Sequence, residues 1–256
     1  MSAAANASGQ PLYRRIAGQL RDAIYRGDLA PGTRLPSEQE LMDQHGVSRN
    51  TIRLALGALT NEGLITSSQG RGSFVRERAP LRFFASRTDS RERRARSTRD
   101  AFQSDVAEQG HKGDLSIEVA MIRSDTTTAA RLELDEGATV VVRRRIQYVD
   151  DQPYAIADTY FPHELVRDTP IVAPDDIPQG ANKVLDEIGH AQVRFQDEIT
   201  VRMPTADEAS TLQIGPGTPV ACLARVGYDE TDTPVRLFST VLPGDRYTLV
   251  YDVAGD

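Results

Sequence analysis

Ser48-Arg49-Asn50-Thr51-Ile52-Arg53-Leu54-Ala55-Leu56-Gly57-Ala58-Leu59 is the stretch that decides the fold of the first third of this chain. Ile52, Ala55, Leu56 and Leu59 recur at the spacing of one helical face, so that face is expected to be buried. Arg49, Asn50 and Arg53 then fall together on the opposite side, at the helix N-terminus, with Ser48 as the cap. Upstream, His45-Gly46-Val47 reads as a tight break. Before it, Ser37 with Glu40 three residues later forms a capping box that opens a short helix, whose buried side is Leu41 and Met42. Two short helices joined by such a turn, the second exposing Arg and Asn at its start, have helix-turn-helix geometry. The residue types suit base reading. Arg donates two hydrogen bonds to guanine O6 and N7, and Asn pairs bidentately with adenine. The hydroxyls of Ser48 and Thr51, with the helix amides, suit a phosphate.

Working outward, Leu12, Ile16, Leu20 and Ile24 form an apolar stripe for a first helix that starts at Pro11 and stops at Gly27 and Pro31-Gly32. After Gly63, the β-like stretches Leu64-Ile65-Thr66 and Ser73-Phe74-Val75 surround Gln69-Gly70-Arg71-Gly72. The glycines let a hairpin tip carry Arg71 into a minor groove, which makes this segment the wing. Residues 11–78 are thus expected to be a winged helix-turn-helix domain, preceded by a disordered tail at 1–10 (Met1-Ser2-Ala3 onward) that lacks the basic start and apolar core of a secretory signal.

The net charge of −7 conceals an asymmetry. Residues 1–99 carry 17 Arg and no Lys against 9 Asp and Glu, a net +8, while residues 100–256 carry 13 Lys and Arg against 28 Asp and Glu, a net −15. A basic front on an acidic body is expected where one module alone meets a polyanion. Acidic solubility residues that simply fall late in the chain would give the same count, so charge alone does not choose. The single cysteine, Cys222, excludes an internal disulfide and fits a reducing cytoplasm. No apolar run approaches the ~18–20 residues that cross a bilayer.

Residues 79–99 are Arg-rich and read as a linker: a solvated charge run, or a source of non-specific phosphate attraction. Beyond it, strand patterns (115–122, 139–148, 155–161, 198–203, 219–228, 235–242 and 248–253) outnumber short helices (101–109, 126–132, 182–188 and 205–212). This mixture is expected to be an α+β domain around a mostly antiparallel sheet.

The run Leu29-Ala30-Pro31-Gly32-Thr33-Arg34-Leu35-Pro36-Ser37-Glu38, then Gly46-Val47-Ser48-Arg49-Asn50-Thr51-Ile52-Arg53 and Gly70-Arg71-Gly72-Ser73-Phe74-Val75, resembles the head of the GntR family. The resemblance implies DNA contacts from Arg34, Ser37, Ser48, Arg49, Thr51, Arg53, Gln69, Gly70 and Arg71, to which the exposed Asn50 is added. One departure is Gln39, where many members have Arg. Downstream, Arg143-Arg144-Arg145 with Asp150-Asp151-Gln152-Pro153, Asp158-Thr159-Tyr160-Phe161-Pro162 and Ala206-Asp207-Glu208-Ala209 resemble the UTRA sensor domain of the HutC subfamily, which has a chorismate-lyase-like α+β fold. That likeness implies a ligand-sensing and dimerisation domain over 100–256, with an effector cleft containing Phe102, Ser104, Arg145, Tyr160 and Glu198. Arg145 offers a bidentate fork for carboxylate or phosphate, or is a strand Arg held in an ion pair. Sugar-phosphate-sensing members carry Arg-x-Arg, and the second Arg falls on Gln147 here, so a less anionic ligand is equally compatible.

No catalytic residue, metal ligand or cofactor site is expected. His45, His111, His163 and His190 lack ligand spacing, and Cys222 lies in an apolar strand. Gly70-x-Gly72 precedes a strand rather than a helix, against a nucleotide fingerprint. The sequence therefore implies a cytoplasmic regulator, in the repressor sense, that binds a palindrome in double-stranded DNA as a homodimer and responds to a small molecule. A lyase-type enzyme with a DNA-binding head and an effector-independent DNA-binding protein are the alternatives.

Overall fold

The computed structural model describes residues 10–68, 72–76, 80–88, 100–177, 179–215 and 217–253. The chain divides into two compact units, 1–80 and 81–256.

In the first unit, α1 (Leu12–Arg26) follows Pro11, which sits at the cap one residue before the helix, and ends at Gly27 in the left-handed region (φ 82°). Its buried face is Ile16, Ala17 and Leu20; Leu12 is 53% exposed, so the apolar stripe begins a turn later than expected. The Ser37 capping box opens α2 (Glu38–His45): Ser37 Oγ accepts from the Glu40 amide and the Glu40 carboxylate accepts from the Ser37 amide. These hydrogen bonds hold the Glu40 carboxyl below its ordinary range. Gly46, at φ 62°, makes the turn. α3 (Arg49–Asn61) buries Ile52, Ala55, Leu56 and Leu59 against Ile16, Leu20, Leu35 and Leu41 in one core. Strands β1 (Ile65–Ser68) and β2 (Gly72–Val75) pair antiparallel, from Ile65 opposite Val75 to Ser68 opposite Gly72. The segment before α2 adds to this hairpin, with Leu35 donating to the Ser73 carbonyl and Val75 to that of Thr33, both at 2.8 Å.

The second unit begins with β3 (Leu81–Phe84), which pairs in parallel with β10 (Tyr247–Val250), and a short helix α4 (Ala85–Thr88). Residues 81–88 are thus part of the second unit's own fold, where a linker was expected from 79 to 99. Leu81 is buried and its amide donates to Arg246, giving this segment an anchor that its charge-rich composition conceals. Residues 77–79 and 89–99 lie outside the described residues. After α5 (Ala101–Glu108) come β4 (Gly113–Arg123), α6 (Thr126–Arg131), β5 (Thr139–Val149), β6 (Gln152–Pro162) and α7 (His163–Val166). A 3-10 turn (Pro170–Val172), α8 (Ala181–Glu187), β7 (Arg194–Arg202), α9 (Ala206–Leu212), β8 (Val220–Tyr228) and β9 (Pro234–Pro243) complete it. Six strands form one antiparallel sheet in the order β4-β5-β6-β9-β8-β7, the α+β arrangement expected from the sequence.

Pleating sets which residues share a face. The register aligns Val119, Arg143, Thr159, Phe238, Arg225 and Asp197 across all six strands on one face. Two residues along, Arg145 lies opposite Ala157 on that same face. Part of this face packs under α7, the 3-10 turn and α8 through Val141, Phe161, Ile171, Val184 and Leu185. The remainder forms the floor of a pocket.

Candidate DNA interface and effector pocket

In the first unit the site is the exposed start of α3. Ser48 Oγ accepts from the Thr51 amide at 3.3 Å and lies 2.9 Å from Thr51 Oγ1, so the two hydroxyls are joined at the helix tip. Arg49, Asn50 and Arg53 are all exposed, on the side opposite the core. Arg49 Nε stands 3.6 Å from the Glu38 carboxylate, which orients it beside the start of α2, where half-buried Ser37 caps. Arg34 lies against the wing: a Cβ on Gly72, which has φ 100°, would meet its Nε at 3.0 Å. Glycine here serves both the backbone angle and the close approach of the guanidinium. Gln39 donates to Asp43 at 3.0 Å, along its own helix. Arg34, Ser37, Ser48, Arg49, Asn50, Thr51 and Arg53 all lie in the first unit, with Ser48 joined to Thr51 at the start of α3 and Arg49 beside Glu38 at the start of α2. Gln69, Gly70 and Arg71 lie outside the described residues. Leu54, 50% exposed beside Arg53, is an apolar surface residue that the helical pattern alone did not single out.

In the second unit a cavity of about 120 Å³ opens on the sheet face described above. That is room for several waters or the polar end of a small ligand. Its floor carries Arg145, Arg225 and Arg236, and its walls come from β3, α5 and the start of α8. Arg225 is already matched: Asp197 takes its Nε and Nη2 at 2.6 and 2.7 Å, and Tyr251 donates to the same carboxylate at 3.0 Å. Arg145 is different. Its Nε is buried with no hydrogen-bond acceptor. Burial pushes its pKa down and the charge of Arg236 adds to that, with only Asp100 and Asp176 opposing. Guanidinium stays protonated under ordinary conditions, so this is a largely buried cation with no acceptor at its Nε.

Two residues away on the same face, Arg143 also leaves its Nε without an acceptor, but both of its terminal nitrogens donate to the protein. It is fully buried, donating to the carbonyls of Ile171 at 3.0 Å, Ala173 at 2.7 Å and Asp175 at 2.7 Å. It clamps the loop beyond the 3-10 turn, and burial lowers its pKa to about 10.

Of the five residues expected in the effector cleft, Phe102 and Arg145 line the cavity and three do not. Tyr160 is on the other face, because alternation along β6 gives the pocket Thr159 instead. Its hydroxyl donates to Asp158 at 3.3 Å, and burial with that carboxylate pushes its pKa up to about 12. Glu198 is displaced by the same parity: Asp197 points to Arg225, while Glu198 pairs with Arg131 at 2.6 Å. Ser104 turns back to the Asp100 carbonyl at 3.1 Å. The cap of α5 is Asp100, whose carboxylate takes the Phe102 amide and whose carbonyl takes the Ser104 amide, so neither of these amides is free for a ligand. Arg225 and Arg236 were missed. Each interrupts an apolar strand (Leu223-Ala224-Arg225-Val226 and Val235-Arg236-Leu237), and a charge in such a position is itself the signal of a buried polar site.

The Gln109 side chain brackets the β3 backbone, accepting from the Arg82 amide at 2.8 Å and donating to its carbonyl at 3.1 Å. Leu81, Arg82 and Phe83 all line the cavity. The first segment of the unit is thus in contact with whatever the cavity holds. Among the described residues no group of three or more His, Cys, Asp or Glu could hold a metal ion, and no helix is long and apolar enough to cross a membrane.

The profile of the gntR family of bacterial regulatory proteins matches residues 12–75, and that of the UTRA domain matches residues 111–248. The HTH-type transcriptional repressor NagR of Bacillus subtilis is 30% identical, over 94% of this chain and 94% of NagR. The mannosyl-D-glycerate transport/metabolism system repressor MngR of Escherichia coli is 30% identical, over 86% of each chain. A crystal structure of a GntR-family transcriptional regulator superposes with a TM-score of 0.62 at 26% identity, covering 96% of this chain and 99% of that one.

Proposed function

The chain belongs to the GntR family of bacterial regulatory proteins and carries a UTRA domain, and from that premise we propose that it is a cytoplasmic transcriptional repressor that binds a palindromic operator as a homodimer and releases it when a small anionic effector enters the pocket. The observation that carries the DNA-binding reading is the grouping of Arg49, Asn50 and Arg53 on the exposed start of a helix whose other side is core. A single recognition helix reads too few base pairs for genomic specificity, which favours two heads on a palindrome. Arg49 and Arg53 read base edges, Asn50 suits adenine, and Ser37, Ser48, Thr51 and Arg34 hold phosphates. Gln69, Gly70 and Arg71 enter the minor groove.

For the effector, the unmatched Arg145 beside Arg236 supports a ligand bearing a carboxylate or phosphate. With Gln147, a neutral residue, also on the wall, the remainder of the ligand meets amides, Phe102 and Phe238. Its contact with β3 gives the signal a route toward the head, by selecting among arrangements of the two heads in a dimer. Incubating the protein with sheared genomic DNA, with and without a panel of carboxylated and phosphorylated metabolites, tests the reading. A few retained fragments that share an inverted repeat, and are released by one metabolite, are expected. Retention of all fragments alike, or release by none, would overturn the DNA-specific and effector parts respectively.

A further inference from the structure

We propose that two copies of this chain join edge to edge through β7, in one register, with Thr200 opposite the partner's Thr200. The inference rests on the homodimer reading above and adds where the seam is. β7 is the last strand of the sheet, and among the described residues no other strand pairs with its outer edge. Along it there is no proline, no lysine and no bulge in its register with β8, and its charges, Arg194, Asp197, Glu198 and Arg202, are of both signs. Its centre, Ile199-Thr200-Val201, is β-branched throughout. Ile199, Val201 and the following Met203 share one face and are 41%, 71% and 52% exposed.

The charges on the other face select the register. Antiparallel pairing about a two-fold axis places residues of the same face opposite one another. With Thr200 on the axis, Glu198 falls opposite the partner's Arg202, and Ile199 opposite the partner's Val201. Within one chain Glu198 already takes Arg131 at 2.6 Å, and Arg202 takes Glu208 at 2.7 Å through both nitrogens. The seam then continues these pairs into a row of alternating sign: Arg131, Glu198, the partner's Arg202, the partner's Glu208. The row occurs twice by symmetry. Moving the axis to Glu198 would set that carboxylate against its own copy, which is unfavourable. The opposite edge, β4, offers no such selection: its face with Asp114 and Glu118 continues through Ser116, Ala120 and Ile122 and has no cation of its own, and Glu118 pairs with Arg144 of β5 at 3.3 Å rather than with a cation on the edge strand.

Sedimentation of the full chain and a cross-linking pair test the seam. Val201→Asp, at a highly exposed position, should leave the fold intact by circular dichroism and raise the dimer dissociation constant by at least about tenfold. In a Cys222→Ala background, needed because Cys222 lies opposite Thr200 on β8, Thr200→Cys should oxidise to a covalent dimer. The two Cα atoms would be ~4.5–5.5 Å apart, within disulfide range. Gln196→Cys on the same face should not cross-link, since the two copies would be ~27 Å apart along the seam. A wild type that is monomeric at tens of micromolar would remove the homodimer reading and the seam with it. A dimeric wild type whose Val201→Asp variant is equally dimeric, or equal cross-linking at positions 196 and 200, would overturn the seam alone.

Discussion

Arg143 and Arg145 lie on one strand and one face, yet replacing each by Met should have opposite consequences. Arg143→Met removes three donations to the carbonyls of Ile171, Ala173 and Asp175. Hydrogen bonds from a charged donor are worth about 1.5–3 kcal/mol each, so three total roughly 5–9 kcal/mol. Removing the guanidinium also relieves the several kcal/mol that burying a charge costs, and the net loss is about 3–5 kcal/mol. For a unit of this size each kcal/mol moves the melting temperature by about 2–4 °C, which gives a fall of roughly 6–20 °C. Arg145→Met strands no acceptor of its Nε, removes a buried cation beside Arg236, and keeps most of the side-chain volume. Its stability should stay within about 1 kcal/mol of wild type, or rise. Differential scanning calorimetry of the full chain, following the transition of the sensor unit without ligand, measures both. If Arg145→Met melted as early as Arg143→Met, Arg145 would be a structural residue and the anion site would be lost from the account.

Ser48→Ala removes the cap of α3 and should destabilise the head by about 1 kcal/mol, read as a lower urea midpoint of its transition. Arg49→Ala should lose about 1–3 kcal/mol of operator affinity and relax preference at one position of each half-site, measured by competition with single-base variants. For pH, burial works to raise the Asp229 carboxyl, but hydrogen bonds from His190, Thr231 and Thr233 prevail and hold it at about 2. A folded pKa below the unfolded value gives stability that is full above pH ~4 and is lost as pH falls toward 2. Asp229→Asn should flatten the acid limb of the stability curve in that window. Once an effector is found, Arg145→Met should abolish its effect while leaving effector-free operator binding within about twofold; a tenfold effect in wild type corresponds to about 1.4 kcal/mol of coupling.

The head could be read from sequence because its determinants are local. The Ile52-Ala55-Leu56-Leu59 stripe, the Ser37–Glu40 box and the Gly46 turn each lie within a few residues of what they specify, and each stands where expected. The strands of the sheet were recognisable for the same reason. What failed was non-local or depended on a single step of parity. β3 is four residues in a charged stretch, and its partner β10 is more than 160 positions away. Tyr160 was one residue from Thr159, which lines the pocket, and Glu198 one residue from Asp197, which holds the pocket's Arg225; one step along a strand reverses the face. Ser104 failed for a different reason: Asp100 fills the cap, which depends on where the helix begins rather than on what it contains.

The central claim is that the start of α3 reads sequence. The direct measurement is the ratio of affinities for an operator selected from random DNA and for random DNA itself, at one fixed salt concentration, for wild type and for Asn50→Ala/Arg53→Ala. Wild type should prefer the operator by about 10³-fold or more, and the double variant should lose most of that preference while keeping its affinity for random DNA within a few-fold. A double variant that keeps the full ratio would contradict the account, because the exposed face of α3 would then touch DNA without reading it.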